Sequence, residues 1–326
     1  MRHRSSAERR GSYVVLLDGP SRTPDELRDL AAYLSEIALS DFEVVVVDAS
    51  QQPDLDRNRQ VLRWVSRHLA ARPQHFTAFG IVDPVRTALD VASCERIVVA
   101  DANVRYDLDA LDQLALLLEL HEVVEPQDYF DPMPWWGGIE AGRILVYRSV
   151  ASAPDHGVTF GFQKRAIRGL RSLDHANDDC VRRLASQGAE VFSAVKVFVR
   201  RLPPALSHWL RNLPRQAEQE FAIPAKAALF FMLLPIAIAL VLIAGTSIAG
   251  SFLGTIAFVS IALAVRGRIG ASRFFPLRAC FFAPLWILQR SLSVYLALVW
   301  RFRGGDPRRV PVEVTSRSKT GRRAEA

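Results

Sequence analysis

From Ala227 to Val265 the chain carries no Asp, Glu, Lys, Arg or His, and the run is interrupted only around Gly245-Thr-Ser-Ile-Ala-Gly250. Two helices of about 18 to 20 residues fit it, at about 227–245 and 248–265, each close to the ~20 residues that cross a bilayer core of ~30 Å. A chain with such a segment must either place it in lipid or bury it whole, as a helical hairpin inside a large core. Hydrophobic residues make up 50% of the sequence and charged residues 23%, an apolar balance for a protein wholly in water. The membrane reading is the stronger of the two.

The formal net charge of +7 is unevenly spread. Residues 1–10 carry +3, residues 223–300 carry +6 and residues 301–326 carry +5, which leaves −7 for residues 11–222. Basic charge gathered around apolar helices suits anionic headgroups, and an acidic folded part does not suit nucleic acid. Lys226 precedes the first helix, Arg266, Arg268 and Arg273 follow the second, and the loop between them is uncharged. By the positive-inside rule both outer flanks, and the large amino-terminal domain with them, are expected in the cytoplasm. The next apolar stretch, about 274–300, is broken by Arg278 and by Gln289-Arg290. An in-plane interfacial helix is expected there, anchored by Trp286, Tyr295 and Trp300 with the arginines at headgroup level, and a third crossing is the alternative. Residues 1–12 read as a basic disordered start, followed by too few apolar residues for a signal peptide, and residues 301–326 as a basic disordered tail. Cys94, Cys180 and Cys280 have no paired spacing, which points to a reducing compartment and no cysteine metal cluster.

Residues 13–222 form the expected folded domain. Tyr13 to Leu17 is a short apolar run ending in Asp18-Gly-Pro, and Pro24-Asp-Glu then opens a helix with Leu27, Leu30, Leu34 and Ile37 at helical spacing. Phe42-Glu-Val-Val-Val-Val47 reads as a strand covered on both faces, because continuous β-branched residues suit a parallel sheet. It ends in Asp48-Ala-Ser. A helix is expected from Asp56 to Ala71, a short segment near Phe76 to Val82, and a helix from Pro84 to Ala92. A strand from Arg96 to Ala100 and an apolar helix from Leu108 to Leu120 follow. Alternating βα units whose strands end in Asp predict an α/β fold with a doubly wound sheet.

Ligands of open α/β sheets bind beyond the carboxyl ends of strands. Arg96-Ile-Val-Val-Ala-Asp101-Ala-Asn103-Val-Arg-Tyr-Asp107 is an apolar strand ending in acidic and amide oxygens, which suits a metal-bound phosphate. Val-Val-Val-Val-Asp48-Ala-Ser resembles the second strand of family 2 glycosyltransferases, where an aspartate ends the strand and contacts the nucleotide. Ile-Val-Val-Ala-Asp101-Ala-Asn103 stands where that family has its Asp-x-Asp signature, about fifty residues further on. Gly157-Val-Thr-Phe-Gly-Phe-Gln-Lys-Arg165 resembles the strand and basic turn before the acceptor site. Asn177-Asp178-Asp179 and the following segment to Gly188-Ala-Glu-Val resemble the part carrying the catalytic acidic pair. The resemblance covers roughly residues 13 to 222, and a membrane hairpin after this domain is common among processive and lipid-linked members.

The resemblance implies a GT-A type mixed sheet and a nucleotide diphosphate sugar, of UDP or GDP type, as donor. It implies a lipid-linked or polysaccharide hydroxyl as acceptor at the cytoplasmic face. Charge builds on the departing diphosphate as the anomeric centre becomes oxocarbenium-like, and a divalent cation (Mg2+ or Mn2+) held by Asp101 and Asn103 would offset it. Asp18 and Asp48, with Asp101, would line the nucleotide pocket. Asp178 and Asp179 are the candidate general bases, Asp179 slightly favoured, with Asp174 and His175 in reserve. Trp135 and Trp136 are either an acceptor platform, since sugar faces stack on aromatic rings, or a packed loop. The family's Gln-x-x-Arg-Trp element is not present as such; Arg215 stands in the matching place and could supply a cation to the diphosphate. Asn103 departs from the signature, a neutral oxygen replacing a carboxylate. It leaves open a catalytically impaired relative acting as a membrane partner or scaffold. A small transporter is disfavoured, because the hairpin contains no ionisable group.

Overall fold

The structure, a computed structural model, describes residues 9–18, 22–63, 67–76, 82–150, 159–168, 180–218 and 224–302. Its strands are β1 (Gly11–Leu17), β2 (Phe42–Asp48), β3 (Arg67–Ala70), β4 (Arg96–Asp101), β5 (Val104–Arg105), β6 (Val123–Phe130), β7 (Thr159–Gln163) and β8 (Val191–Arg201). They make one sheet in the order β3-β2-β1-β4-β7-β6-β8-β5. The first four positions are parallel, β7 lies antiparallel between β4 and β6, and β6 and β8 are parallel to each other. The sheet is therefore mixed, as expected.

Valine-rich strands form here because both faces are covered. Tyr13, Val15 and Leu17 of β1 and Val44 and Val46 of β2 share a buried cluster with Leu30 and Leu34 of α1 (Pro24–Leu39) and Leu111 and Leu114 of α4 (Leu108–Leu120). Val14, Val45 and Val47 point the other way, into a cluster with Val85 and Ala88 of α3 (Pro84–Val91) and Leu184 of α7 (Cys180–Ser186). Each fully buried valine contributes about 1.5–3 kcal/mol of transfer free energy. Thr23 and Glu26 form a capping box at the start of α1, Asp83 caps α3, and Asp107 caps α4 by accepting from the Ala110 amide at 2.7 Å.

The expected helix from Asp56 to Ala71 is replaced by α2 (Asp54–Val61) and the edge strand β3. Tertiary partners decide this. Arg67 donates to Glu43 at 3.1 Å and to the Val91 carbonyl at 3.0 Å, His68 meets Asp48 at 3.1 Å, and the backbone pairs with Val45 to Asp48. Arg-His-Leu-Ala has no local strand signature, so only those partners could reveal it.

A third cluster joins the sheet to the apolar carboxyl-terminal helices. It contains Ile144 and Leu145 of α5 (Gly137–Val150), Phe230 and Ala264 of α9 (Pro224–Gly267), and Trp286 and Val294 of α10 (Ala283–Phe302). A straight helix of 44 residues would be about 66 Å long. Instead Gly245, at φ 85° and ψ 168°, breaks α9. Near its start Phe230 lies 5.6 Å from Trp286, and at its end Gly267 accepts from Arg148 of α5 at 3.2 Å. Both halves of α9 thus return to the same cluster. Among the described residues much of their surface has no protein partner: Leu242 is 79% exposed and Ile243 86%.

Two expectations for 274–300 are corrected. Trp286, only 4% exposed, is an interior residue between Phe230 and Tyr147, and Arg290, 3% exposed, is buried, so neither serves as an anchor or charge at headgroup level. Tyr295 donates its hydroxyl hydrogen to the Phe231 carbonyl of α9 at 2.5 Å. Gln289, Ser291 and Ser293 bond within α10 itself, so Tyr295 carries the hydrogen bond that ties this face to α9. Arg278, before α10, is exposed. The side chain of Trp300 lies outside the described residues.

Candidate functional site

Strand direction gathers the carboxyl ends of β1, β2, β3, β4, β6 and β8 along one edge of the sheet. In the register, Leu17 of β1 is level with Asp48 and Leu16 with Asp101, so the main chains of Asp18, Asp48 and Asp101 come side by side at the end of β1. Strand order reverses between β1 and β4. A crevice beyond such a switch point is where open α/β sheets take their ligands.

Asp48 is 1% exposed. Its carboxylate accepts from the Ser50 amide at 2.8 Å, Asn58 Nδ2 at 3.0 Å and His68 Nε2 at 3.1 Å. Burial alone would raise its pKa, but the hydrogen bonds from His68, Ser50 and Asn58 outweigh that and hold it below the usual carboxylate range. Asp18 is exposed, and Asp101 is half-buried. Asp101 Oδ1 accepts from the Asn103 amide at 2.7 Å, the hydrogen bond of a tight turn. The Leu202 amide donates to the Asn103 carbonyl at 2.9 Å and ties this turn to the end of β8.

Arg22, which sequence reasoning passed over, reaches into the same place. Its guanidinium donates to Asn103 Oδ1 at 3.1 Å, and its carbonyl accepts from Arg57 at 2.9 Å. Desolvation lowers the pKa of Arg22, and the carboxylates of Asp101, Glu26 and Asp48 act against that loss. No local motif marks Arg22; its loop position just before a helix cap was the available signal.

The other picks separate. Trp136, 4% exposed, packs between Phe130 at 5.6 Å and Trp209 at 5.0 Å, so its ring is taken by the core and is no platform for a sugar. Trp135 is 70% exposed and keeps its face open. Lys164 and Arg165 do not approach the crevice: they bond to the Ala92 carbonyl and to Glu95 beside the amino end of β4, the opposite edge. Arg215 falls in α8 (Leu206–Glu218), with its side chain outside the described residues. Asp178, Asp179, Asp174 and His175 also lie outside them. Sequence reasoning missed two further charge pairs, Arg201 with Asp128 at 3.3 Å near the carboxyl ends of β8 and β6, and the buried Glu140–Arg143 pair of α5. The signal available for the latter was its i, i+3 spacing.

The expected divalent cation can be tested against the donors present. One oxygen of Asp101 is engaged by its own turn, the side-chain oxygen of Asn103 is engaged by a guanidinium, and the described residues contain no group of three or more His, Cys, Asp or Glu able to hold a metal. Among the described residues this leaves a divalent ion one oxygen of Asp101, a sparse protein share even for an ion that takes most of its oxygens from phosphate and water.

No known family profile and no curated protein matches the sequence. Among solved structures the chain is similar to a mannosyltransferase from Pyrobaculum calidifontis in complex with GDP-Man and Mn2+, at 17% identity over 87% of this chain and 86% of that one, with a TM-score of 0.49. It is also similar to glucosyl-3-phosphoglycerate synthase from Mycobacterium tuberculosis in complex with Mn2+, UDP and glucosyl-3-phosphoglycerate, at 14% identity over 63% and 76% of the two chains, with a TM-score of 0.41. At such identity the reading of this site rests on the chain's own residues.

Proposed function

We propose that this chain is a membrane-anchored inverting glycosyltransferase of GT-A type. It moves a sugar from a nucleotide diphosphate sugar of UDP or GDP type to a lipid-linked or polysaccharide hydroxyl at the cytoplasmic face of the cell membrane. The observation that carries the reading is the meeting of Asp18, Asp48 and Asp101 at the switch point of a mixed sheet. Exposed Asp18 and half-buried Asp101 are placed to accept from the N–H groups of a base and the hydroxyls of a ribose, while Asp48, buried and bonded to Ser50, Asn58 and His68, holds the chain after β2 in place.

In the reaction the acceptor oxygen forms a bond to the anomeric carbon while the bond from that carbon to the diphosphate oxygen breaks. The bonding pair leaves with the nucleoside diphosphate, and the hydroxyl proton passes to a carboxylate. Asp179 or Asp178, in the segment that leads into α7, is the proposed base, and Trp135 the surface on which an acceptor sugar stacks.

Membrane attachment is supported by the unpartnered apolar surface of α9, since soluble chains rarely leave so much contiguous apolar surface in water. Its two halves are read as a membrane hairpin with Lys226 and Arg266 on the cytoplasmic side. An apolar groove lined by Leu234, Ile238 and Leu242 of α9 and by Leu292, Tyr295 and Leu296 of α10 suits the hydrocarbon part of a lipid-linked acceptor.

The test is turnover by the full chain in detergent, given UDP- and GDP-sugars and a lipid extract. Lipid-dependent release of the nucleoside diphosphate is expected, and Asp101→Ala should slow it by about 100-fold or more, the scale of losing one electrostatic contact to the leaving group. Release unchanged in Asp101→Ala would overturn the proposal.

A further inference from the structure

A nucleoside diphosphate brings at least two negative charges to an edge already lined by Asp18, Asp48 and Asp101, and like charges at close range repel unless a cation intervenes. The amino end of α1 does not serve, because the capping box of Thr23 and Glu26 closes it and Asp25 adds another carboxylate to its first turn. Two nearby arginines are occupied elsewhere. Arg57 pairs with Asp54 at 2.9 Å and donates to the Arg22 carbonyl, while Arg105 pairs with Asp29 at 3.0 Å and donates to the carbonyls of Ala102 and Val104.

Arg22 is differently placed. Among the described residues its side-chain hydrogen bond goes to the neutral oxygen of Asn103, which holds the guanidinium at the turn, while Asp101, Glu26 and Asp48 act on it electrostatically without a paired contact. Arg57, from the first turns of α2, donates to the Arg22 main-chain carbonyl and fixes the backbone of Arg22 itself. Asparagine at position 103 then has a physical reason: an aspartate there would pair with Arg22 and cancel its charge, whereas an amide oxygen positions it and leaves the charge for an incoming anion.

We infer that Arg22 is the cation of the nucleotide site: seated on Asn103 beside Asp101 and Asp48, its guanidinium meets the donor's diphosphate and lets the site bind a nucleoside diphosphate without a divalent ion. The inference rests on the proposed nucleotide-sugar site and deepens it. Arg22 is a binding residue that also offsets charge on the leaving group as the glycosidic bond to phosphate breaks.

Calorimetric titration of the full chain in detergent tests this, using UDP, GDP and the matching nucleosides, first in EDTA and then with Mn2+. One diphosphate is expected to bind in EDTA, with Mn2+ changing its affinity by less than about twofold. Arg22→Ala should weaken that diphosphate by about 10- to 100-fold, the range for a lost charge-assisted hydrogen bond, and Arg22→Lys should recover part of it. Nucleoside affinity should stay unchanged in Arg22→Ala, which separates a phosphate contact from a general loss of site structure. Binding that appears only with Mn2+, an Arg22→Ala variant that binds diphosphate normally, or an equal loss for nucleoside and diphosphate each overturns the inference. Failure of every nucleotide and nucleoside under both conditions would instead overturn the nucleotide site itself, and this inference with it.

Discussion

Two carboxylates on one strand show how position decides the work of a residue. Glu43 and Asp48 stand near opposite ends of β2, both buried. Glu43 accepts from Ser12 Oγ at 2.5 Å, the Ser93 amide at 2.9 Å and Arg67 at 3.1 Å, tying β1, β3 and the end of α3 together away from the crevice. Burial works to raise its pKa, but the hydrogen bonds from Ser12, Ser93 and Arg67 prevail and hold it below the usual range. A carboxylate depressed in the folded state stabilises it fully above the unfolded pKa near 4.3, and the contribution is lost as pH falls through the lower folded value. Glu43→Gln should therefore cost about 1–3 kcal/mol at pH 7, since its amide cannot accept as many bonds as the carboxylate. Denaturant unfolding of wild type and variant should show the gap closing as pH drops below about 4. Nucleotide affinity should be unchanged; a gap that persists at low pH would show that the charge of Glu43 is not what stabilises.

At the scale of elements, α9 depends on glycine at two places for separate reasons, at its break and at its junction with α5. Gly245 adopts φ 85° and ψ 168°, a region open to glycine alone, where a side chain costs about 1–3 kcal/mol. At Gly267 the backbone conformation is ordinary, but a Cβ would lie 1.8 Å from the Leu145 carbonyl oxygen of α5, a backbone atom that cannot step aside. Gly267→Ala should push the helices apart at a cost of about 1–3 kcal/mol, as overpacking does. Gly250, where an added Cβ would meet nothing within 4 Å and φ is not positive, is the control, and Ala there should be neutral or slightly stabilising. Thermal unfolding in detergent ranks the three variants, and a Gly267→Ala melting point equal to that of Gly250→Ala would refute the close-approach argument. The same scale shows why β3 escaped sequence reasoning while β2 did not: the valines of β2 announce a buried strand wherever they are, whereas Arg67 and His68 become strand residues only beside Glu43 and Asp48.

For the whole molecule, the proposed membrane hairpin makes a claim about sides. Both ends of α9 pack near α5, so the acidic sheet domain and the basic flanks Lys226 and Arg266 stand together, and the break at Gly245 points away from them. In vesicles of known orientation carrying a chain whose native cysteines are replaced, Ser247→Cys should react with an impermeant thiol reagent from one side and Arg266→Cys from the other. Labelling of both from the same side would remove the membrane hairpin from the proposal.

What the sequence determined by itself were the features that depend on short stretches of chain: valine strands ending in aspartate, capped helices, and an apolar run long enough to cross a bilayer. These are legible because burial periodicity, capping and hydrocarbon thickness act over one element at a time. Only the tertiary structure decided which side chains share a place. It brought Asp18, Asp48 and Asp101 to one edge through strand register, chose packing over an acceptor platform for Trp136, put Trp286 and Arg290 inside where a linear reading had them at headgroup level, and set Arg22 on Asn103, 81 positions along the chain. Contacts between residues so far apart depend on how sheet order and helix packing fold the chain back on itself, which no local pattern encodes.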